Sequence, residues 1–280
     1  KKYGFAETGS YNIVSRYVGC ISNPREDKYM EKNEFVCSEE ELEQAAGGEG
    51  EDGSHAADVF GPVTVTVNNG TVTEAVYGCN YQNGSPQGAV TVNINGTTAP
   101  IAPATYSIPA VFGGGNLAEY NGTGGITVNM SGGDVNNVYG GGNQADVTSA
   151  VTVLLSGGNI ATDVYGGGKM GQTNTAYSAG TYPTYTTNVT LNGAKVAGNI
   201  YGGGFGDREN LGEGHSDVEA NVFGPVTVTV IKGLANNVFG CNNINGTPEN
   251  TVTVNINGTD APDEVSRPLP IFNVYGGGNQ

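Results

Sequence analysis

A short glycine-rich motif recurs seven times along the chain, and it constrains the fold more than any other feature. It has the form Val/Ile-Tyr/Phe-Gly-Gly-Gly-Asn, as at Val111 (VFGGGN) and Val138 (VYGGGN), or a shortened form, as at Val76 (VYGCN). The copies at Val164 (VYGGGK) and Ile200 (IYGGGF) replace the final asparagine. Repetition of this kind indicates one structural unit that is used many times and stacked on itself. The copies begin at Val76, Val111, Val138, Val164, Ile200, Val238 and Val274.

A run in which valine or isoleucine alternates with threonine or asparagine precedes each motif, as in VTVTV at Val63–Val67. Alternation with a period of two predicts a β-strand with one buried and one solvated face. A helix does not fit, because its circumference would mix both residue types and because Val, Ile and Thr are poor helix formers. Asn-Gly or Ser-Gly-Gly after most runs predicts a sharp turn. The runs begin at Val63, Val90, Ile126, Val151, Val189, Val226 and Val252.

The chain is therefore predicted to be all-β, a parallel β-helix (β-solenoid) of about seven coils. One coil cannot bury its apolar face alone, whereas coils stacked about 4.8 Å apart share a continuous core. Short segments at residues 59–62 and 222–225 (both VFGP) leave open whether a coil has two or three faces. Stacking places like residues above one another and predicts two ladders. The rings are Tyr77, Phe112, Tyr139, Tyr165, Tyr201, Phe239 and Tyr275; the amides are Asn80, Asn116, Asn143, Asn242 and Asn279, interrupted by Lys169 and Phe205.

Residues 1–56 differ from the rest and are predicted to be an acidic, irregular segment that caps the first coil or is inserted beside it. Residues 1–52 hold 12 of the 27 acidic residues and 6 of the 11 basic ones, and they lack the glycine corners. Ser38 followed by Glu41 has the spacing of a helix capping box, so one short helix is expected there.

The four cysteines are expected to be structural. Cys79 and Cys241 occupy the same corner position in coils on the order of 20 Å apart, which is too far for a disulfide. They are predicted to be small buried side chains. Cys20 and Cys37 lie in the irregular segment, where a disulfide could form.

Residues 57–280 are predicted to form the β-helix repeat domain and to continue beyond the 280 residues. Gln280 follows a glycine corner at a point where an earlier copy, at Gln144, runs at once into another strand. Residues 59–116 also align with residues 222–279, which indicates duplication of several coils together. An uncovered last coil would expose a strand edge. A neighbouring coil or self-association is expected to cover it.

One loop carries the densest set of charged side chains and is the candidate for metal binding or catalysis. Its carboxylates could offer oxygen ligands to Ca²⁺, although their irregular spacing also fits a solvated loop. The strand faces carry almost no charge, so no enzyme is predicted; a polysaccharide lyase or hydrolase, which needs carboxylates in fixed positions, is the alternative. The candidate ligands are Asp207, Glu209, Glu213 and Asp217.

A tyrosine-rich loop at residues 177–185 is the second candidate site. Exposed rings of Tyr177, Tyr182 and Tyr185 could stack on sugars. The other interpretation is that they pack over the solenoid as a plug, since tyrosine is commonly half-buried.

Charge and hydropathy narrow the choice of partner. With a net charge of −16, the chain is not expected to bind nucleic acid. No apolar run approaches the roughly 20 residues that span a bilayer, so no transmembrane segment is predicted.

The VYGGGN corners, joined to Val-Thr-Val strands and Ser-Gly-Gly or Asn-Gly turns, resemble the large surface repeat proteins of gut Bacteroidota and other anaerobes that are described as adhesin-like. The resemblance covers residues 59–280 and implies an exported, surface-anchored β-helix; it supplies no catalytic residues. A structural or adhesive protein at the extracellular or outer cell surface is therefore expected, which contacts a carbohydrate or protein ligand of host or matrix. The alternative is a glycan-binding or polysaccharide-degrading β-helix protein that acts through its long loops.

Overall fold

The computed structural model describes residues 57–209, 217–260 and 270–279. This part of the chain is all-β, with fifteen strands, parallel pairing between all of them and no helix, as predicted. The strands are β1 Val63–Val67, β2 Ala75–Tyr77, β3 Val90–Ile94, β4 Ile108–Phe112, β5 Ile126–Met130, β6 Asp134–Tyr139, β7 Val151–Leu155, β8 Asn159–Ile160, β9 Val164–Tyr165, β10 Thr187–Val196, β11 Ile200–Tyr201, β12 Val226–Leu234, β13 Asn237–Phe239, β14 Val252–Ile256 and β15 Asn273–Tyr275.

Seven strands form the first stack of a parallel β-helix, in the order β1, β3, β5, β7, β10, β12 and β14. They pair in register, so that Val92 lies between Val65 and Val128 of the neighbouring coils. The alternating sequence fixes this register, because a shift by one residue would turn every valine to solvent. Val92 and Val128 are fully buried, which confirms the predicted strands and their inward face.

The second stack comprises β2, β4, β6, β9, β11, β13 and β15, which carry the pair of each motif, valine (isoleucine in β11) followed by tyrosine or phenylalanine. Successive side chains of a strand alternate, so the valine joins the main core and the ring lies on the other side. The predicted ring ladder is confirmed through all seven coils, with neighbouring centroids 4.7 to 5.1 Å apart and planes within 5 to 9°. Its buried members are Phe112, Tyr139, Tyr165, Tyr201 and Phe239.

A third, shorter face consists of single parallel bridges rather than strands. Val59 pairs with Pro86 at its start, and bridges between later coils continue it. The VFGP segments lie on this face, so the three-faced form of the prediction is correct. Tyr120 and Val147 of this face join the valines of the other two in one core. The later bridges link Tyr120, Val147, Thr173, Val222 and Pro248 in turn.

The first glycine of the corner is required because neighbouring coils approach too closely for a side chain. A Cβ built on Gly140 would lie 2.5 Å from Cγ1 of Val151, and closer still to the carbonyl oxygen of Gly166 in the next coil. The N–H of Gly140 donates to the carbonyl of Tyr165 at 2.9 Å, which holds the two coils at this spacing. The motif thus keeps glycine where backbone meets backbone.

Cys79 and Cys241 have free thiols, as expected from their separation along the stack, but both side chains are half-buried rather than buried as predicted. Each thiol donates to the carbonyl of the corner glycine in the next coil. The distance from Sγ of Cys79 to the carbonyl oxygen of Gly113 is 3.6 Å, and that from Sγ of Cys241 to the carbonyl oxygen of Gly276 is 3.5 Å. Burial raises the pKa of both thiols, which suits packing side chains rather than reactive thiolates.

The predictions for residues 1–56 fall outside the described residues. They include the irregular segment, its short helix and the possible disulfide between Cys20 and Cys37.

Candidate functional site

The tyrosine-rich loop brings two of its three predicted residues together directly before β10. The rings of Tyr182 and Tyr185 stack with centroids 4.7 Å apart and planes 9° apart. Tight turns position them, because the N–H of Tyr182 donates to the carbonyl of Ser178 at 2.8 Å and that of Tyr185 to the carbonyl of Tyr182 at 3.2 Å. Tyr185 is 8% exposed and Tyr182 is 42% exposed. Tyr177 is half-buried and is not a member of this stacked pair.

Asn174 anchors the base of the tyrosine-rich loop. Its backbone has a φ of 57°, a conformation that asparagine tolerates better than most residues. The side chain is fully buried; its Nδ2 donates to the carbonyl of Ser149 at 2.6 Å and its Oδ1 accepts from the Thr187 hydroxyl at 2.7 Å.

Burial, and secondly the neighbouring Tyr182, raises the pKa of Tyr185. The ring of Tyr182 stacks on that of Tyr185 and is exposed enough to stack on a sugar.

The charged loop between β11 and β12 holds three of the predicted metal ligands in its described part: Asp207, Glu209 and Asp217. The backbone of Asp207 pairs with that of Val218 in an antiparallel bridge, with N···O distances of 2.8 and 3.0 Å. The carboxylate of Asp207 accepts from the N–H of Arg208 at 2.8 Å. That of Asp217 accepts from the N–H of Glu209 at 3.3 Å. These carboxylates thus contribute to the turn geometry.

Glu213, the fourth predicted ligand, lies outside the described residues. Within residues 57–209, 217–260 and 270–279, no three His, Cys, Asp or Glu side chains come close enough to hold a metal ion. The Ca²⁺ site, which includes Glu213, stays a prediction.

An amide ladder that the sequence analysis missed runs beside the ring ladder. Nδ2 of Asn237 donates to Oδ1 of Asn199, and Nδ2 of Asn273 donates to Oδ1 of Asn237, both at 2.8 Å. Asp163 takes the same position in the coil before, where its carboxylate accepts from the N–H of Asn199 at 2.7 Å and from the hydroxyl of Tyr165 at 3.2 Å. The sequence feature that could have predicted this ladder is the asparagine two positions before the aromatic residue of the motif.

The amide ladder that was predicted forms only in part. Nδ2 of Asn143 donates to Oδ1 of Asn116 at 2.7 Å, so this pair is confirmed. Asn242 instead donates to two backbone carbonyls, and so does the asparagine of the other shortened corner. The shortened corner puts Asn242 where other corners have their third glycine. Asn243 therefore takes the ladder position and accepts from Asn279 at 3.1 Å.

The phenol groups at the centre of the ring ladder are shielded and hydrogen-bonded. Nδ2 of Asn243 donates to the Tyr165 hydroxyl at 3.0 Å, and Nδ2 of Asn199 donates to the Tyr201 hydroxyl at 3.2 Å. Burial, followed by the nearby Asp163 carboxylate, raises the pKa of Tyr165 and raises that of Tyr201 to about 12. These phenols stay protonated at neutral pH and act as packing groups.

The outward side of the first stack is a regular polar face, which we call the Thr/Asn face. It carries nine threonines, four asparagines, one leucine and no charged residue, and every member is half-buried or exposed. Nδ2 of Asn129 donates to Oδ1 of Asn93 at 3.0 Å, and Nδ2 of Asn93 donates to the Thr66 hydroxyl at 3.3 Å. The members are Thr64, Thr66, Thr91, Asn93, Thr127, Asn129, Thr152, Leu154, Asn188, Thr190, Thr227, Thr229, Thr253 and Asn255.

No protein-family model, curated protein or solved structure matches the chain. The part of the chain that the structure describes contains no helix of the length and apolarity needed to cross a membrane. The motifs of the sequence and the geometry of these surfaces are therefore what bear on function.

Proposed function

We propose that this chain is a structural and adhesive repeat protein of the cell surface, which contacts host or matrix ligands and performs no catalysis. The observation that carries the proposal is the regularity of the solenoid, in which strands, ring ladder and polar face repeat through seven coils. The body spans about 29 Å over its coil spacings. It repeats one chemical surface many times, which suits multivalent contact better than a single catalytic centre.

The proposed location is extracellular or on the outer surface of the cell. The net charge of −16 favours solubility there and disfavours nucleic acid as a partner. The resemblance of the corner motifs to adhesin-like surface repeat proteins supports the same location. A further coil or a second copy of the chain would cover the apolar side chains of the last coil, which are 41 to 47% exposed. These side chains are Ile256, Phe272, Val274 and Tyr275.

A binding screen tests the adhesive proposal. Purified protein is applied to a glycan array and to immobilised collagen, fibronectin and mucin, and electron microscopy checks for filaments. We expect saturable binding to at least one of these ligands, without loss of any polysaccharide. Release of shorter or unsaturated sugars by the protein would contradict the proposal and favour the enzyme.

The charged loop provides the matched control for that screen. Asp207→Ala combined with Glu209→Ala removes carboxylates that a lyase or hydrolase of this loop would need. We expect unchanged binding and unchanged polysaccharide length. Dependence of either on these two residues would favour catalysis or metal binding.

A second candidate function, glycan binding through the tyrosine-rich loop, is favoured by the stacked pair of Tyr182 and Tyr185. In this case Tyr182→Ala should weaken glycan binding roughly three- to tenfold, the range expected for one lost stacking contact. Tyr177→Ala, in the same loop but outside the pair, is the control. Equal effects of both variants would favour the plug interpretation, since loss of loop packing would then be the common cause.

A further inference from the structure

We infer that the Thr/Asn face binds a chain of an uncharged polysaccharide that lies along the solenoid axis. This inference rests on the proposed adhesive function and names the surface and the ligand class that would carry it. The face presents two outward side chains from each of seven coils.

The absence of charge on this face points to the ligand class. The chain carries 38 charged residues and a net charge of −16, yet none of the fourteen outward positions is charged. An anionic or cationic polymer placed here would lose hydration without gaining an ion pair, which is costly. Hydroxyls and amides can replace the hydration of a hydroxyl-rich neutral chain without such a cost. A lipid surface does not fit, because Leu154 is the single apolar member.

Three polar side chains of the face are held in position by hydrogen bonds and keep capacity for a ligand. The hydrogen bonds from Asn129 to Asn93 and from Asn93 to Thr66 fix these side chains along the stack. An amide has two N–H donors and a carbonyl with two lone pairs, so each asparagine in this series retains groups for a ligand. Side chains that are already ordered lose less entropy when a ligand binds.

The repetition of the face matches a polymer better than a compact ligand. Equivalent positions recur at the coil spacing, which the ring ladder measures as 4.7 to 5.1 Å. A sugar ring in an extended glycan has a similar length, so successive sugars would meet successive coils. Each contact alone is weak, and the sum over the coils supplies the affinity.

The test is affinity electrophoresis of the 280-residue chain in gels that contain hydroxyethyl cellulose, mannan or dextran, with polygalacturonate as the charged comparison. We expect retardation by at least one neutral polymer and none by polygalacturonate. Thr152→Lys places a charge at the centre of the face and should weaken binding by about tenfold or more. Thr162→Lys, at an exposed threonine between β8 and β9 of the same coil, is the matched control and should bind as the wild type does.

A gentler variant separates loss of binding from loss of folding. Thr152→Val combined with Thr190→Val keeps the β-branched shape and removes two hydroxyls, so the strands should form as before. We expect binding to fall about fivefold to a hundredfold for the loss of two hydrogen bonds. Circular dichroism and the unfolding midpoint verify that both face variants are folded.

The outcomes distinguish this inference from the proposed function. Neutral-glycan binding that survives both face variants but is lost in Tyr182→Ala would overturn the face and leave adhesion through the loop. Binding to matrix proteins alone would also overturn the inference and leave adhesion intact. A dimer in sedimentation that Thr152→Lys dissociates would show that the face joins two copies instead. Absence of binding to every ligand would overturn both.

Discussion

Strands β3 and β14 have the same sequence, VTVNI, but opposite environments. Ile94 at the end of β3 is fully buried between β1 and β5, whereas Ile256 at the end of β14 is 41% exposed. Within the described residues β14 pairs with β12 alone. The second stack repeats this contrast, since Tyr165 is 1% exposed and Tyr275 is 44% exposed.

The contrast teaches that the sequence of a coil decides which side chains point inward, whereas the neighbouring coils decide how far those side chains are buried. The period-two pattern decides which side chains point inward in both β3 and β14. Apolar area leaves water only where a coil has a partner on each side, as in other solenoids, whose stability is close to a sum over neighbouring repeats. Equal substitutions in interior and last coils should therefore have unequal effects.

The largest difference is expected for truncation of the shared isoleucine. Ile94→Ala removes buried methyl groups and leaves a cavity, so the free energy of unfolding should fall by about 2 to 5 kcal/mol. Ile256→Ala removes partly exposed atoms and leaves no closed cavity, so it should cost only about 1 kcal/mol. Guanidinium unfolding of the two variants of the 280-residue chain, followed by circular dichroism, measures both values.

Equal losses in the two variants would contradict the contrast. They would mean that a second copy of the chain covers the last coil in solution. The unfolding midpoint would then rise with protein concentration, because association stabilises the folded state by mass action.

The corner glycines give a second, smaller difference. Gly140→Ala forces a methyl group against Val151 and the backbone of the next coil, and should cost about 1 to 3 kcal/mol. Gly276, the equivalent glycine of the last coil, has no atom within 4 Å of the added carbon. Gly276→Ala should therefore be nearly neutral in the same unfolding measurement. A large loss at Gly276 would show that backbone conformation rather than close approach selects glycine at the corner.

The strands, their register and the ring ladder could be predicted from the sequence because they repeat. Val92 and Val128 fall at the same step of the same pattern, and only one register buries both. Tyr139 and Tyr165 follow valine directly before the glycines, so stacking of the coils had to stack the rings. Periodicity and repetition together leave few alternatives.

The amide ladders and loops were less predictable because they depend on length and on contacts outside the repeat. Asn242 stands in the motif but is shifted by one position in its shortened corner, and Asn243 takes its place in the ladder. The stacked pair of Tyr182 and Tyr185 depends on turns within an irregular loop. Its exclusion of Tyr177 has no signal in the sequence. Local hydrogen bonds determine the conformation of an irregular loop, and they leave no periodic pattern in the sequence.

Alkaline pH should destabilise the chain through the buried phenols of its interior coils. Burial raises the pKa of Tyr201 to about 12, and burial followed by Cys79 raises that of Tyr120 to about 12, from an ordinary value of 10.0. Above pH 10 the unfolded chain loses these protons while the folded chain keeps them. The free energy of unfolding should therefore be unaffected by these groups below pH 10 and should fall as the pH rises from 10 towards 12.

Unfolding curves at stepped pH, read beside tyrosinate absorbance, measure this dependence. Tyr201→Phe removes one titrating group from an interior coil, so its stability should decline less steeply above pH 10. An unchanged slope in Tyr201→Phe would assign the dependence to other tyrosines.

The smallest change in the free energy of unfolding is expected at Asp163, the acid that interrupts the ladder of Asn199, Asn237 and Asn273. Asp163→Asn supplies an Nδ2 donor towards the preceding coil, as Asn237 does to Asn199, and keeps an oxygen for the N–H of Asn199. The variant loses one acceptor for the Tyr165 hydroxyl, so the net gain should be below about 1 kcal/mol. Asn237→Asp, the reverse change one coil beyond Asn199, should lose a similar amount.

The last coil again provides the comparison. Asn273→Asp removes a donor from a member with one ladder neighbour among the described residues, so it should cost less than Asn237→Asp in parallel unfolding curves. A loss of stability in Asp163→Asn would mean that the two hydrogen bonds to its carboxylate outweigh the missing ladder donor. In that case the carboxylate of Asp163 stabilises its coil. The ladder then accepts an acid in place of an asparagine where a backbone N–H and a phenol hydroxyl can both donate to that acid.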